Sequence, residues 1–81
     1  MQEIEIHGYK VKYDPSDSRI VKDGVNHLQS LSKDEVEDIM NNARHDDDSK
    51  SLHTFYHKTE RENRTIKIKH DGGAYRITKP N

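Results

Sequence analysis

The chain has 81 residues, enough for one small domain, and Leu, Ile, Val and Phe supply only 15 of them, so any core is thin. Fourteen Lys and Arg against fifteen Asp and Glu leave a formal charge of −1, which excludes both a strongly basic polyanion binder and charge-driven disorder. There is no cysteine, hence no disulfide, thiolate metal site or thiol nucleophile.

The opening Met-Gln-Glu-Ile-Glu-Ile lacks the basic start and apolar run of a secretion signal, and no stretch is apolar enough to span a membrane. The expectation is a cytoplasmic protein forming a single domain over residues 1–81, with no membrane contact.

Apolar residues at Ile4, Ile6, Tyr9, Val11 and Tyr13 switch parity at His7-Gly8. A two-residue hairpin turn there sets Ile6 opposite Tyr9 and Ile4 opposite Val11, collecting the apolar side chains on one face. The other face then pairs Glu5 with Lys10 and Glu3 with Lys12. Asp14-Pro15-Ser16-Asp17-Ser18 breaks the strand. Residues 14–31 read as an irregular linker, with Arg19 to Lys22 as a short strand candidate and a turn at Asp23-Gly24. Val25, Leu28 and Leu31 then plug the open side of the core.

A helix runs from about Lys33 to Arg44 or His45. Ser32 and Glu35 form a capping box, Leu31 and Val36 stand at the staple positions, and Val36, Ile39, Met40 and Ala43 share one face. Its wet face is acidic, and Asp46 to Asp48 follow it directly.

Beyond Ser51 the apolar period is two. Leu52 to Lys58 is a strand with Leu52 and Tyr56 inward, a parity that Phe55 breaks as a bulge or an exposed aromatic. A polar loop from Thr59 to Asn63 leads to strands over Thr65 to His70 and Ala74 to Lys79. A turn at Asp71-Gly72 would set Ile68 opposite Tyr75 and Ile66 opposite Ile77. The predicted fold is α+β, in the order ββαβββ: an antiparallel sheet, made of an N-terminal β-hairpin and a C-terminal three-stranded meander, with one amphipathic helix on one face. Its predicted core is Ile4, Ile6, Val11, Val36, Ile39, Met40, Ile66, Ile68, Tyr75 and Ile77.

Catalytic and metal patterns are absent from the sequence. The serines fall in turns and loops without a glycine-flanked elbow, and no glycine loop cradles a phosphate. His53 and His57 would lie about 13 Å apart on a strand, too far to share an ion. The expectation is no enzyme, no cofactor and no metal.

Charge is segregated along the chain. Residues 34–48 carry seven acids and one base, whereas residues 49–81 carry eight bases and three acids. This predicts a small interaction protein, an inhibitor or adaptor, that docks on a basic partner such as a nucleic-acid-binding protein. The acidic surface comprises Asp34, Glu37, Asp38, Asp46, Asp47 and Asp48, and carboxylates on a stiff helix there would act as a local DNA mimic. The alternative is direct nucleic-acid binding on the basic outer sheet face, through Lys67, Lys69 and Arg76 with Phe55 and His57 (or His53) stacking on bases. Open sheet edges and the small core also predict a homodimer.

Overall fold

The computed structural model describes residues 1–44 and 51–80. In chain order these form β1 (Gln2–Ile6), β2 (Tyr9–Tyr13), α1 (Arg19–Ser30), α2 (Lys33–Ala43), β3 (Leu52–His57), β4 (Glu62–Asp71) and β5 (Ala74–Thr78). The class is α+β. The five strands make one sheet in the order β1-β2-β5-β4-β3, mixed because β2 runs parallel to β5 while every other neighbour is antiparallel.

The first hairpin has the expected register, Ile6 opposite Tyr9 and Ile4 opposite Val11. His7 and Gly8 both take positive φ, at 50° and 89°, as a type I′ turn requires. His7 Nε2 also donates to the Leu31 carbonyl at 2.8 Å, which ties the hairpin tip to the α1–α2 junction.

The linker expected over residues 14–31 contains a helix instead. Ser18 caps it, its hydroxyl accepting from the Ile20 amide at 3.2 Å, and Val21, Val25 and Leu28 form a buried stripe at helical spacing. Arg19 to Lys22 is therefore the first turn of α1. Gly24 is a contact point inside that helix and no turn: a Cβ built there would lie 2.7 and 2.8 Å from Cγ2 and Cδ1 of Ile66 on β4. Only a residue without a side chain lets α1 sit this close to the sheet.

The second helix is as read. Its box is complete, with the Glu35 amide donating to Ser32 Oγ at 3.3 Å and the Ser32 amide to Glu35 Oε1 at 3.0 Å. Val36, Met40 and Ala43 are buried and Ile39 half-buried, in the same cluster as the α1 stripe and the strand residues Ile6, Val11, Phe55, Ile66, Ile68, Tyr75 and Ile77. Ile4 is half-buried at its margin. Both helices thus cover one face of the sheet.

Two expectations about the C-terminal meander need correction. Asp71 pairs with Ala74 and Ile68 with Ile77, so the turn is Gly72-Gly73 and Tyr75 lies opposite His70. Gly72 takes φ +62° as the first central residue. A turn centred on Asp71 would force a non-glycine residue into that region, a cost the Gly-Gly pair avoids. The pairing shift is two residues, so no side chain changes face and Ile66, Ile68, Tyr75 and Ile77 stay buried.

On β3 the faces are reversed. Phe55 pairs with Arg64 and His53 with Ile66, which turns Phe55 inward at 6% exposure and leaves Leu52 and Tyr56 outward at 44% and 57%. The cover that makes this favourable is α1, which the linker reading lacked. The polar loop after β3 is also shorter than expected, because β4 already begins at Glu62.

The α1–β4 contact gives the first test. Gly24→Ala should gain up to about 1 kcal/mol of helix propensity but lose about 1 to 3 kcal/mol to overpacking against Ile66, a net loss readable in urea unfolding. In the Ile66→Ala background the same change should become neutral or stabilising, and a double-mutant cycle should give a coupling of about 1 kcal/mol or more.

Candidate docking surfaces

Three of the six predicted acidic residues stand together on α2. Burial of Val36, Met40 and Ala43 toward the sheet sends Asp34 and Asp38 to the opposite side of the helix and Glu37 to its flank, and all three are exposed. The fourth carboxylate of this helix, Glu35, is engaged in the capping box, and the amide and hydroxyl of Ser32 hold its pKa below the usual carboxylate value. Among the described residues no cation lies within ion-pair distance of Asp34, Glu37 or Asp38. Asp46, Asp47 and Asp48 lie outside the described residues. At the C-terminal end of α2, Arg44 Nε donates to the Tyr75 hydroxyl at 2.6 Å, fastening the helix to β5, and this bond raises the guanidinium pKa.

The opposite face of the sheet carries no helix among the described residues. Lys12, Arg76 and Lys69 are successive partners across β2, β5 and β4, a cation row with one side chain per strand, about 4.8 Å apart in the backbone. Lys10 stands beside this row on β2 and Lys67, opposite Thr78, on β4. Glu3 and Glu5 on β1 face Lys12 and Lys10 in register, and Asp71 ends the β4 row. Toward β3 the face becomes uncharged, with Thr54 and Thr65 bonded through their hydroxyls at 2.9 Å between exposed Leu52 and Tyr56.

The predicted stacking residues are not on this face. Phe55 is buried against α1, its ring 4.4 Å from that of His27 and within 12° of parallel. His53 stacks on the same imidazole at 5.4 Å. His57 also points to the helix layer, with Nε2 3.6 Å from Asp23 Oδ1. Phe55, His53 and His57 therefore lie on the helix side and not where they could stack on bases at the outer face, and Tyr56 is the exposed aromatic of this strand. Sequence reasoning missed His27 and Asp23 together with α1, although Ser18 and the Val21, Val25, Leu28 spacing carried the signal.

Beside these rings a cleft of about 440 Å³ opens between α1 and β3, lined by Asp23, Asn26, His27, Ser30, Phe55 and His57 among others. Ser30 has its hydroxyl committed to the His27 carbonyl at 2.6 Å. Within the described residues no three ligating side chains converge on a point. Burial lowers the pKa of His27 despite the nearby Glu35 carboxylate, and lowers that of His53 with help from His27. Both shifts favour the neutral ring, as stacking on a phenyl group does. Comparison with family models, with curated proteins and with solved structures returns no match.

The lowered histidines predict a pH dependence. The unfolded state takes up protons at about pH 6.5, whereas folded His27 and His53 resist them, so stability is full above that pH and falls as the medium is acidified through the folded values. The urea midpoint should drop between about pH 6.5 and pH 5. His27→Gln combined with His53→Gln should flatten that slope.

Proposed function

We propose that this chain is a small, non-enzymatic interaction protein, an inhibitor or adaptor that docks on a basic partner protein through the acidic face of α2. The observation that carries this reading is the set of exposed carboxylates at Asp34, Glu37 and Asp38, fixed on a capped helix and without a cation among the described residues. Spaced carboxylates on a rigid rod present the same negative charge and acceptor oxygens as phosphates, so they fit a groove built for a nucleic-acid backbone. The sequence continues the acid run at Asp46 to Asp48. With a net charge of only −1, mimicry of this kind is local to one face.

A second reading has its own support. Both helices pack on one side, and the uncovered sheet face presents the row Lys12, Arg76 and Lys69. Such a row fits direct contact with phosphates, with Tyr56 available to stack.

The two readings separate cleanly. Asp34→Asn, Glu37→Gln and Asp38→Asn together should abolish retention on an immobilised basic protein such as protamine at physiological salt and leave the fold intact, whereas Lys69→Gln with Arg76→Gln should change little. Wild-type protein should not be retained on duplex DNA. Retention on DNA that falls steeply with salt and disappears in the Lys69 and Arg76 variant would establish the second reading and remove the first.

A further inference from the structure

The sheet has two edges, and they are guarded differently. β1 alternates Glu3 and Glu5 along its length, so two copies of that edge would bring carboxylates together. β3 carries no Asp, Glu, Lys or Arg between Leu52 and His57 and has β4 as its only strand neighbour among the described residues. Among the described residues, the exposed large hydrophobics besides Met1 are Leu52 and Tyr56, both on this edge strand.

The backbone phase of β3 follows from one bond. The Ser51 carbonyl accepts from the Ile68 amide at 2.7 Å, which makes Ser51 and Ile68 a hydrogen-bonded pair. In an antiparallel ladder such pairs alternate, so His53, Phe55 and His57 turn their amides and carbonyls to β4. Leu52, Thr54 and Tyr56 turn theirs to the open side, where no strand among the described residues receives them. The close Thr54–Thr65 hydroxyl contact at 2.9 Å agrees, because side chains approach most nearly at the non-bonded pairs.

We infer that the occupant of this edge is a second copy of the chain, paired antiparallel about a two-fold axis through Thr54. Leu52 and Tyr56 lie two residues to either side of Thr54, so this axis places Leu52 against Tyr56 of the second copy, twice. The residues that meet are the three whose backbone groups face outward, and each facing pair exchanges two bonds, about six in all. On the inner face His53 meets Phe55 of the second copy, and the cleft between α1 and β3 faces its symmetry mate. α1 packs mainly above β4, so strand spacing puts the two α1 helices roughly 14 Å apart. That gap exceeds the 8 to 10 Å of packed helices and leaves room for the imidazole and phenyl rings between them. The pairing extends the sheet to ten strands with all four helices on one side. It uses no carboxylate of α2 and stands apart from the proposed docking function.

Sedimentation equilibrium of the full chain tests it. The expected species is a dimer of about 19 kDa, twice the 9.5 kDa chain. Thr54→Lys sets like charges opposite each other on the axis and should give a folded 9.5 kDa monomer, with circular dichroism unchanged because Thr54 is exposed. Leu52→Lys alone and Tyr56→Glu alone should each weaken the dimer about tenfold or more. The two together should restore it, because the axis then opposes the new charges of opposite sign. A wild-type monomer at about 200 μM, or a dimer indifferent to Thr54→Lys and to the paired exchange, overturns the inference. In the second outcome another surface makes the dimer.

Discussion

The close approach of α1 to β4 is the contact on which the rest of the molecule depends. Fifteen Leu, Ile, Val and Phe residues cannot fill two layers of core, so the chain covers one sheet face and brings its cover as near as it can. Gly24 is where this happens: the helix backbone rests on Ile66 in the second strand of the meander. Held at that distance, α1 places Val21, Val25 and Leu28 in the sheet interior and His27 over Phe55. The hydrophobic cluster is then continuous from Ile6 on β1 to Phe55 on β3.

Placing nearly all the large aliphatic side chains of the strands on one side, Leu52 excepted, decides what the other side is. The uncovered face holds what remains of the strand sequences, and in β2, β4 and β5 that is chiefly lysine, arginine and threonine. Asp34 and Asp38 of α2 face away from the sheet, on the far side of the helical layer, with Glu37 on its flank. The two poles are separated by at least a helix diameter, about 10 Å, while charges in physiological salt are screened over about 8 Å. Through solvent, neither pole neutralises the other. Each presents its own field to whatever approaches it, which makes a charge of −1 a poor guide to the surface.

Legibility in the sequence followed the range of the forces involved. The His7-Gly8 hairpin and the capped helix from Lys33 are set by neighbours a few residues apart, and both are as read, to the register of Ile6 with Tyr9. The first helix is hidden in the sequence because Asp23-Gly24 reads locally as a turn, and the reason for a glycine there is Ile66, forty-two positions away. The face of β3 is hidden with it, since Phe55 turns inward only if a helix is there to receive it. The parallel partnership of β2 with β5 has no local signature at all. For the candidate site, the exposure of Asp34, Glu37 and Asp38 follows from helical periodicity, and strand alternation places Lys67, Lys69 and Arg76 on the outer sheet face, where Lys69 and Arg76 are exposed and Lys67 half-buried. His57 and Phe55 were misassigned together by one error of parity.

That parallel pairing has a meaning in time as well as in space. Lys10, Val11 and Lys12 find their partners at Ala74, Tyr75 and Arg76, so the bond between β2 and β5 spans sixty-four positions of chain. A two-stranded hairpin is marginal in water by itself, and until β5 has been made the N-terminal hairpin has only its own cross-strand pairs and the helices to lean on. During synthesis β1 and β2 precede β5 and are thus among the last strands of the sheet to be secured, and Val11 waits for its strand neighbour Tyr75. Non-local closure of this kind slows folding, and it makes the central strand of the finished sheet the final piece of it to be made.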